Sequence, residues 1–187
     1  MEKTPAIHFR RATLADLPAL RALIEASVRG LVTKEYTPAQ IEGCMGHALG
    51  LDTQLVGDGT YYIAELDTPE VKNAEMLGCG GWSYRRTLFG SDNADQRESS
   101  LLDPATDAAK IRAIFVHPKW ARRGIGTAIL AHCEHAAQMA GFTRVEMGST
   151  LTGVPLYTLK GYAAQKNIEV PLPNGEVLTV VHMTKVL

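Results

Sequence analysis

The sequence predicts one mixed α/β domain of the α+β type, built on a sheet of about seven strands with helices on both of its faces. The chain has 187 residues, and at roughly 150 residues per domain this length predicts a single domain spanning 1–187. Its hydrophobic fraction of 45% is enough to build a core. Strand and helix periodicities follow one another in the order strand, two helices, three strands, helix, strand, helix and two strands, as a mixed sheet covered by helices requires.

The N-terminal half predicts three strands and two helices. Asp16 and Pro18 open an apolar repeat of helical period, and Thr37 followed by Pro38 is typical of a capped helix start. A polar turn at Asp67-Thr68-Pro69 separates two segments of strand character, which favours an antiparallel hairpin. The predicted elements are strands at 6–10, 61–66 and 76–86, a helix from 16, and a second helix from 37 that continues through Leu49.

Two features interrupt this pattern. Gly78, Gly80 and Gly81 weaken the third strand and indicate a bulge or a close approach of another chain segment. From 88 to 106 the chain is polar and rich in Gly, Ser and Asp, and it is longer than the ~12 to 15 residues that structureless loops reach. We interpret residues 88–106 as an insertion that is either a functional lid or disordered.

The C-terminal half predicts four strands and two helices. Pro118 stops the first of these strands, Gly141 ends a long helix that begins near Ile125, and Gly161 caps a short helix. The last two strands flank a turn at Pro173-Asn174-Gly175. The predicted strands are 110–116, 144–148, 162–170 and 178–186, and the short helix is 153–160.

The composition excludes several classes of function. Lys and Arg number 19 against 20 Asp and Glu, so the net charge of -1 predicts neither a nucleic-acid nor a membrane partner. The three cysteines are an odd number without metal-type spacing, and His132 and His135 lack a third ligand, so we expect no metal. Together with the lack of an apolar run of about 18 residues, this predicts a reduced, cytoplasmic protein.

A local anion site is predicted where the long helix begins. The segment HPKWARRGIGTAIL places Arg122 and Arg123 immediately before Gly124 and Gly126. Free N–H groups and the positive dipole end of a helix bind phosphate, and glycine lets an oxygen come close to the backbone. The alternative is that the glycines only shape a loop and the arginines are solvated, because a short Gly-x-Gly is a weak pattern.

The same part of the chain resembles the GNAT superfamily of N-acetyltransferases. RRGIGT at 122–127 follows FVHP at 115–118, and LYTLKGY at 156–162 comes further along. The family's acyl-CoA signature is (Gln/Arg)-x-x-Gly-x-(Gly/Ala), and aligning its glycines on Gly124 and Gly126 puts Ala121 in the first position, a departure that removes one polar side chain. The element order fits the family over nearly the whole chain, whereas the specific motifs lie between Lys110 and Tyr162.

The resemblance implies the GNAT-like acyl-CoA N-acyltransferase fold, in which a mostly antiparallel sheet splays between its fourth and fifth strands. Acetyl-CoA is the implied cosubstrate, with its pantetheine arm along the exposed strand edge, its pyrophosphate on backbone amides, and a backbone N–H near Phe115 or Val116 as oxyanion donor. Thr150 either bonds the pantetheine or caps the following helix. The other implied cofactor-binding residues are Ile114, Phe115, Val116, Arg122, Arg123, Gly124, Ile125, Gly126 and Thr127.

The catalytic residues that the resemblance implies are Tyr157 and Glu146. Tyr157 occupies the position that faces the cofactor sulfur, and a phenol with a pKa near ~10 can donate a proton to a departing thiolate; the alternative is a packing role. Relatives that acetylate histone lysines carry a glutamate base where this chain has Lys110. Glu146, on the fifth strand beside the gap, is therefore the carboxylate to test as base, although it could instead point to solvent or pair with Arg144. The alternative routes for the proton are His117, which a loop role explains more simply, and a water chain to solvent.

The implied activity is transfer of acetyl from acetyl-CoA to a primary amine by direct attack in a ternary complex. The acceptor is a small-molecule or peptide amine whose identity the sequence leaves open, and relatives are often homodimers. Lys110 and Arg112 share one strand face that could attract an acceptor carboxylate, although a solvated edge explains them more simply.

Two alternatives compete with this interpretation. One is a catalytically silent acyl-CoA-binding module of the same fold. The other is a Rossmann-type dinucleotide-binding enzyme, for which Glu146 lies about twenty residues after the glycines. Ile129 in the third small position, and the loop 117–123 before the first glycine, oppose the Rossmann interpretation.

Overall fold

The computed structural model describes residues 7–66, 74–95 and 97–187, and their strands form one seven-stranded sheet with helices on both faces. The strands are β1 Ile7–Arg11, β2 Tyr61–Leu66, β3 Met76–Ser83, β4 Ala109–Val116, β5 Arg144–Thr150, β6 Ala163–Pro171 and β7 Val177–Val186. The helices are α1 Leu17–Leu31, α2 Pro38–Cys44, α3 Thr53–Gly57, α4 Ile125–Met139 and α5 Val154–Leu159, and short 3₁₀ turns lie at Leu14–Asp16 and Pro118–Trp120. The predicted mixed α/β class is confirmed.

The sheet has the strand order β1-β2-β3-β4-β5-β7-β6 and is antiparallel except between β4 and β5. The parallel pair is joined only where Ala109 lies opposite Val145 and Lys110 lies opposite Glu146. Beyond Lys110 the two strands separate, so one edge of each is left without a partner strand. The splayed sheet that the resemblance implied is therefore present.

Each face of the sheet carries its own apolar core. On one face α1 and the segments that follow it bury Leu20, Ile24 and Leu55, and on the other α4 buries Ile125 and Ile129. Fully burying a Leu or Ile side chain contributes about 1.5–3 kcal/mol. These two layers fix the positions of β4 and β5 between them, and so hold the splay open.

The glycines of β3 allow α4 to lie directly on the sheet. A Cβ on Gly78 would lie 2.7 Å from the carbonyl oxygen of Phe115, and one on Gly80 would lie 2.5 Å from Cγ2 of Ile129. The pairing of β2 with β3 also shifts register where Ala64 and Glu65 lie opposite Gly78 and Met76, so Leu77 is an extra residue in β3. The predicted close approach and the predicted bulge are both present.

The structure corrects the helical prediction between residues 37 and 60. The second helix ends at Cys44 rather than at Leu49, because Met45 is extended and Gly46 has a φ of +71°. A further short helix, α3, was missed; Asp52 caps it by accepting the N–H of Gln54 at 3.1 Å. The third strand ends at Ser83 rather than at residue 86. The turn predicted at 67–69 lies outside the described residues.

The described part of the insertion 88–106 is fastened to the rest of the fold. Thr87 donates its N–H to the carbonyl of Glu98 at 3.0 Å, and Leu102 donates to Tyr84 at 2.8 Å, so the two ends of the segment run side by side. Ser91 donates to the carbonyl of His47 at 2.9 Å. The described part of this segment is therefore an ordered, hydrogen-bonded wall rather than disordered, and its function as a lid stays a prediction.

Cys44, Cys79 and Cys133 are buried and form no disulfide with one another. Among the helices that the structure describes, none combines the length and the apolar character that crossing a membrane would require. In the same described ranges, no group of three or more His, Cys, Asp or Glu side chains is placed to hold a metal ion.

Candidate active site

A cavity of about 80 Å³ lies where β4 and β5 separate, and we call it the gap cavity. Residues 111–115 of β4 and 147–150 of β5 form its sides, and Tyr157 of α5 projects into its lining. Residues 48–50 and 88–90 close it on the face of the sheet opposite α4. The predicted residues Ile114, Phe115, Thr150 and Tyr157 are thus brought to one place.

A bulge in β4 shapes this cavity. Ala113 has a φ of +52°, in the left-handed region that non-glycine residues seldom adopt, and it lies where β4 shifts register against β3. The hydroxyl of Tyr61, a fully buried residue, donates to the carbonyl of Ala113 at 2.9 Å. This hydrogen bond holds the bulge, and a bulge increases the local twist that turns β4 away from β5.

The unpaired edge of β4 presents backbone amides to the gap. His117 donates its N–H to the carbonyl of Leu77 in β3 at 2.9 Å. Because successive amides of a strand point to opposite edges, the N–H of Val116 points away from β3 and toward the gap. The same alternation turns Ile114 to the gap and Phe115 to β3.

The turn before α4 leaves a run of backbone N–H groups without acceptors. Arg122 has a φ of +64° and Gly124 a φ of +82°, and the first helical bond runs from Ala128 to the carbonyl of Gly124 at 3.0 Å. Within the described ranges, no acceptor is found for the amides from Arg122 to Thr127. Arg122, Arg123 and Gly124 are exposed and Gly126 and Thr127 are half-buried, whereas Ile125 is buried, so the outer part of the turn is open to a ligand.

This turn adjoins the gap on one side and carries positive charge on the other. An ideal Cβ on Gly126 would lie 3.6 Å from Cγ2 of Val116 and 3.4 Å from Cδ2 of Leu156, which places Gly126 between the ends of β4 and α5. The guanidinium of Arg123 stacks over the ring of Trp120, 5.1 Å from its centroid. A phosphate on the turn would meet both amides and guanidinium groups.

Tyr157 lies in the lining of the gap cavity with 9% of its surface exposed. Its ring packs against Tyr162 with 5.8 Å between centroids, and Gly153 leaves room for it, since a Cβ there would lie 2.7 Å from Cε2 of Tyr157. In the described part of the chain the hydroxyl has no hydrogen-bond partner, and burial raises the pKa of Tyr157 well above its ordinary value. The phenol therefore stays protonated and free to donate.

Glu146 lies one residue before the cavity-lining part of β5, in a network of charges. Glu146 accepts a hydrogen bond from Lys110, and its Oε2 lies 2.7 Å from Nε2 of His182. Arg144 does not contact Glu146 but donates to the carbonyl of Thr106. The alternative pair with Arg144 was therefore wrong. Burial by itself would raise the pKa of Glu146, but the hydrogen bonds from Lys110 and His182 outweigh it and lower the pKa. Glu146 is ionised at neutral pH.

The charged face of β4 is buried rather than solvated, which corrects the simpler of the two interpretations of Lys110 and Arg112. Lys110 is 7% exposed and Arg112 is 4% exposed. Nη1 of Arg112 lies 2.8 Å from Oδ2 of Asp52, and its Nη2 donates to the carbonyl of Gly90. Burial lowers the pKa of Arg112, while the charge of Asp52 opposes that effect. With its guanidinium committed to these partners, Arg112 is not available to an acceptor carboxylate.

Thr150 is not the N-cap of α5, because Gly153 holds that position, and its contact with pantetheine stays a prediction. Its hydroxyl accepts the N–H of Gly153 at 3.2 Å, just before α5 begins.

The sequence analysis missed Tyr61 and Asp52, whose roles depend on partners 52 and 60 residues away along the chain. The Asp-Thr pair before α3 was the only local signal for Asp52.

Comparison with family models and with curated proteins shows which known proteins the sequence is similar to. Residues 96–187 match the family model described as an acetyltransferase (GNAT) domain. A search of curated proteins by sequence finds no match.

Solved structures of similar fold cover nearly the whole chain. A GCN5-related N-acetyltransferase from Rhodopseudomonas palustris is 21% identical with a TM-score of 0.70, over 100% of this chain and 98% of that one. The PaiA N-acetyltransferase from Thermoplasma acidophilum, in complex with coenzyme A, is 12% identical with a TM-score of 0.62, over 97% and 99% of the two chains. The putative acetyltransferase YncA from Salmonella typhimurium, with its cofactor acetyl-CoA, is 15% identical with a TM-score of 0.62, over 97% and 94%.

At these identities the structural matches establish the fold, and the family model adds the acetyltransferase domain over the half of the chain that holds the turn, β5 and α5. Residues 96–187 are therefore a GNAT acetyltransferase domain, which makes the protein an acyltransferase enzyme, and the whole chain has the fold of solved N-acetyltransferases.

Proposed function

We propose that the protein transfers the acetyl group of acetyl-CoA to a primary amine, by direct attack of the amine in a ternary complex. The observation that most supports this is the exposed turn of unpartnered amides from Arg122 to Thr127, beside the open edge of β4. A pyrophosphate suits such a turn, and an amide-containing arm suits an unpaired strand edge. Fold neighbours that carry coenzyme A or acetyl-CoA give further support.

Each part of the site would hold a different part of the cosubstrate. The amides from Arg122 to Thr127, with the two guanidinium groups, would hold the pyrophosphate. The edge of β4 from Ile114 to Val116 would hold the pantetheine arm by strand-like hydrogen bonds. Thr150 stands at the start of α5 on the opposite side of the gap. Ala121 lacks the polar side chain of the family signature, so the backbone supplies the binding at that point.

Acetyl-CoA supplies an activated thioester. The N–H of Val116, which faces the gap, would stabilise the negative charge that develops on the carbonyl oxygen. The amine nitrogen would attack the carbonyl carbon, the carbon–sulfur bond would break, and the sulfur would take its proton from the hydroxyl of Tyr157, which regains a proton from solvent as coenzyme A leaves. The proton lost by the amine passes to solvent through a carboxylate or a water.

Glu146 is the carboxylate that we propose for this last step, acting through water because it lies next to the cavity lining rather than in it. Its ionised state lets it accept a proton, and His182 beside it offers a path onward to solvent.

The three buried, unpaired cysteines support a reducing location such as the cytoplasm.

The experiment is to measure thiol release from acetyl-CoA with a panel of primary amines, using the wild type and Glu146→Gln. We expect release with at least one amine, and a fall in kcat of about 10²-fold for Glu146→Gln if the carboxylate is the base. Asp16→Asn is a matched control, because Asp16 is also ion-paired, 2.8 Å from Arg10, but lies far from the gap in the fold.

The results separate the candidate functions. Binding of coenzyme A without thiol release for any amine would indicate the silent acyl-CoA-binding module. An unchanged kcat in Glu146→Gln would remove that residue from the mechanism and leave a water chain as the route for the proton.

A further inference from the structure

A second and larger cavity shares a wall with the gap cavity. This outer cavity has a volume of about 370 Å³ and lies between residues 47–48, the segment around the insertion, and residues 168–171 of β6. Ala48, Leu88 and Phe89 line both cavities. These three residues therefore separate the outer cavity from the place where β4 and β5 part.

Phe89 is the part of this wall that lies against the sheet. An ideal Cβ on Gly148 would lie 2.7 Å from Cδ1 of Phe89 and 3.2 Å from its Cβ, so the phenyl ring fills the space that any other residue at 148 would occupy. Gly148 itself lines the gap cavity. The ring thus covers β5 directly beside the reaction gap.

Hydrogen bonds hold the backbone next to Phe89 in place. The carbonyl of Gly90 accepts from Nη2 of Arg112 at 2.6 Å, and the carbonyl of Ser91 accepts from Nη1 of Arg97 at 2.7 Å. Both guanidinium groups also lie within 2.9 Å of the buried carboxylate of Asp52. Because these partners are buried or nearly so, Phe89 is carried by a fixed wall rather than by a freely opening lid.

The outer cavity has a charge that suits an amine. Its lining contains the carboxylates of Asp95, Glu98 and Glu169 and one guanidinium, that of Arg86. A primary amine in neutral solution is an ammonium ion, and an excess of negative charge raises its local concentration. The same charge disfavours an acceptor that carries its own carboxylate.

We propose that Phe89 determines which amines react, by admitting unbranched alkyl amines from the outer cavity to the gap and obstructing bulky ones. The inference rests on the proposed acetyl transfer and adds a specificity to it. Leu88 and Ala48 also line both cavities, but Phe89 is the largest of the three and the one that lies against β5.

The test is to compare n-butylamine with benzylamine as acceptors for the wild type and for Phe89→Ala. We expect wild-type kcat/KM to favour n-butylamine, and the ratio of the two values to shift toward benzylamine by about 10-fold or more in Phe89→Ala, since fit in an apolar pocket discriminates on this scale. Leu101→Ala is the matched control, because Leu101 is 63% exposed in the same insertion and lines neither cavity.

Two further variants keep the test decisive. Phe89→Leu retains an apolar side chain and gives a smaller shift in the same direction, which serves if Phe89→Ala fails to fold. Asp95→Asn raises the KM of n-butylamine at low salt, and the difference disappears at high salt because the side chain of Asp95 is 89% exposed.

The outcomes distinguish this inference from the function on which it rests. A wild type that releases thiol with both amines equally well, or a ratio that Phe89→Ala and Phe89→Leu leave at the wild-type value, would overturn the role of Phe89 while leaving acetyl transfer intact. A wild type that releases no thiol with any amine would overturn the proposed function, and the role of Phe89 with it.

Discussion

Tyr157 joins two properties that a proton donor needs beside a leaving group. Burial raises the pKa of its hydroxyl, and that hydroxyl has no acceptor among the described residues. A group with a raised pKa keeps its proton as the pH rises through the ordinary value of about 10. Loss of the acid form of Tyr157 therefore does not limit the rate in neutral or moderately alkaline solution.

Replacing Tyr157 by phenylalanine removes the proton donor and keeps the ring that packs against Tyr162. We expect Tyr157→Phe to lower kcat by about 10²-fold or more, with the Kd of coenzyme A within about twofold of the wild-type value. The wild-type kcat should also show no alkaline decline below about pH 10. A Tyr157→Phe variant with wild-type kcat would show that the side chain only packs α5.

At the scale of single residues, the sequence and the family resemblance supplied candidates for the chemistry, whose catalytic roles stay predictions, but not the surroundings of those candidates. Tyr157 and Glu146 could be chosen from their types and positions, but the partners of Glu146 could not. Lys110 is its neighbour because β4 and β5 are parallel there, and His182 because β5 pairs with β7. Such pairings join residues that are distant along the chain, so no local pattern announces them.

Among the elements, those with a strong apolar period or a clear start or stop residue were predicted well, including the start of α2 and the short helix α5, whereas the end of α2 and the whole of α3 were not. The sequence indicated α1, α4 and all seven strands to within a few residues. It extended α2 by five residues and missed α3, which has only five residues and depends on Asp52 as its cap. Short helices carry too few apolar positions to show a period, and their stability comes from tertiary contacts.

The turn before α4 gives a prediction at this scale. Gly124 has a φ of +82°, and nothing lies within 4 Å of the position of its Cβ. Gly124→Ala therefore strains the backbone by about 1–2 kcal/mol and places a methyl group in the amide cradle. We expect calorimetry to show the Kd of coenzyme A raised about 10-fold or more.

Gly175 provides the matched control for that variant. It also has a positive φ, +84°, and open space at its Cβ, but it lies in the turn between β6 and β7. Gly175→Ala should lower the stability by a similar amount and leave the Kd of coenzyme A unchanged. Equal Kd values for the two variants and the wild type would contradict the assignment of the cradle.

At the scale of the whole molecule, the sheet consists of two halves joined along β4 and β5 at only two residue pairs. Strand periodicity predicted how many strands there are, and the resemblance implied where they splay. Neither gave the bulge at Ala113 or the wall formed by the insertion, since both depend on contacts with Tyr61 and Arg112 across the fold. The space between the halves is consequently defined by tertiary contacts.

A ligand that lies between the two halves contacts both and binds only the folded protein, so it should raise the melting temperature. At about 100 times its Kd a ligand adds ~2.7 kcal/mol, and at roughly 2–4 °C per kcal/mol for a chain of this size coenzyme A should raise Tm by about 5–11 °C. NADH is the control, because it carries a pyrophosphate but no pantetheine arm for the edge of β4. We expect NADH to raise Tm clearly less, because only its pyrophosphate occupies the turn. A rise in Tm as large as that with coenzyme A would show that the strand edge adds no binding, and it would favour a dinucleotide site.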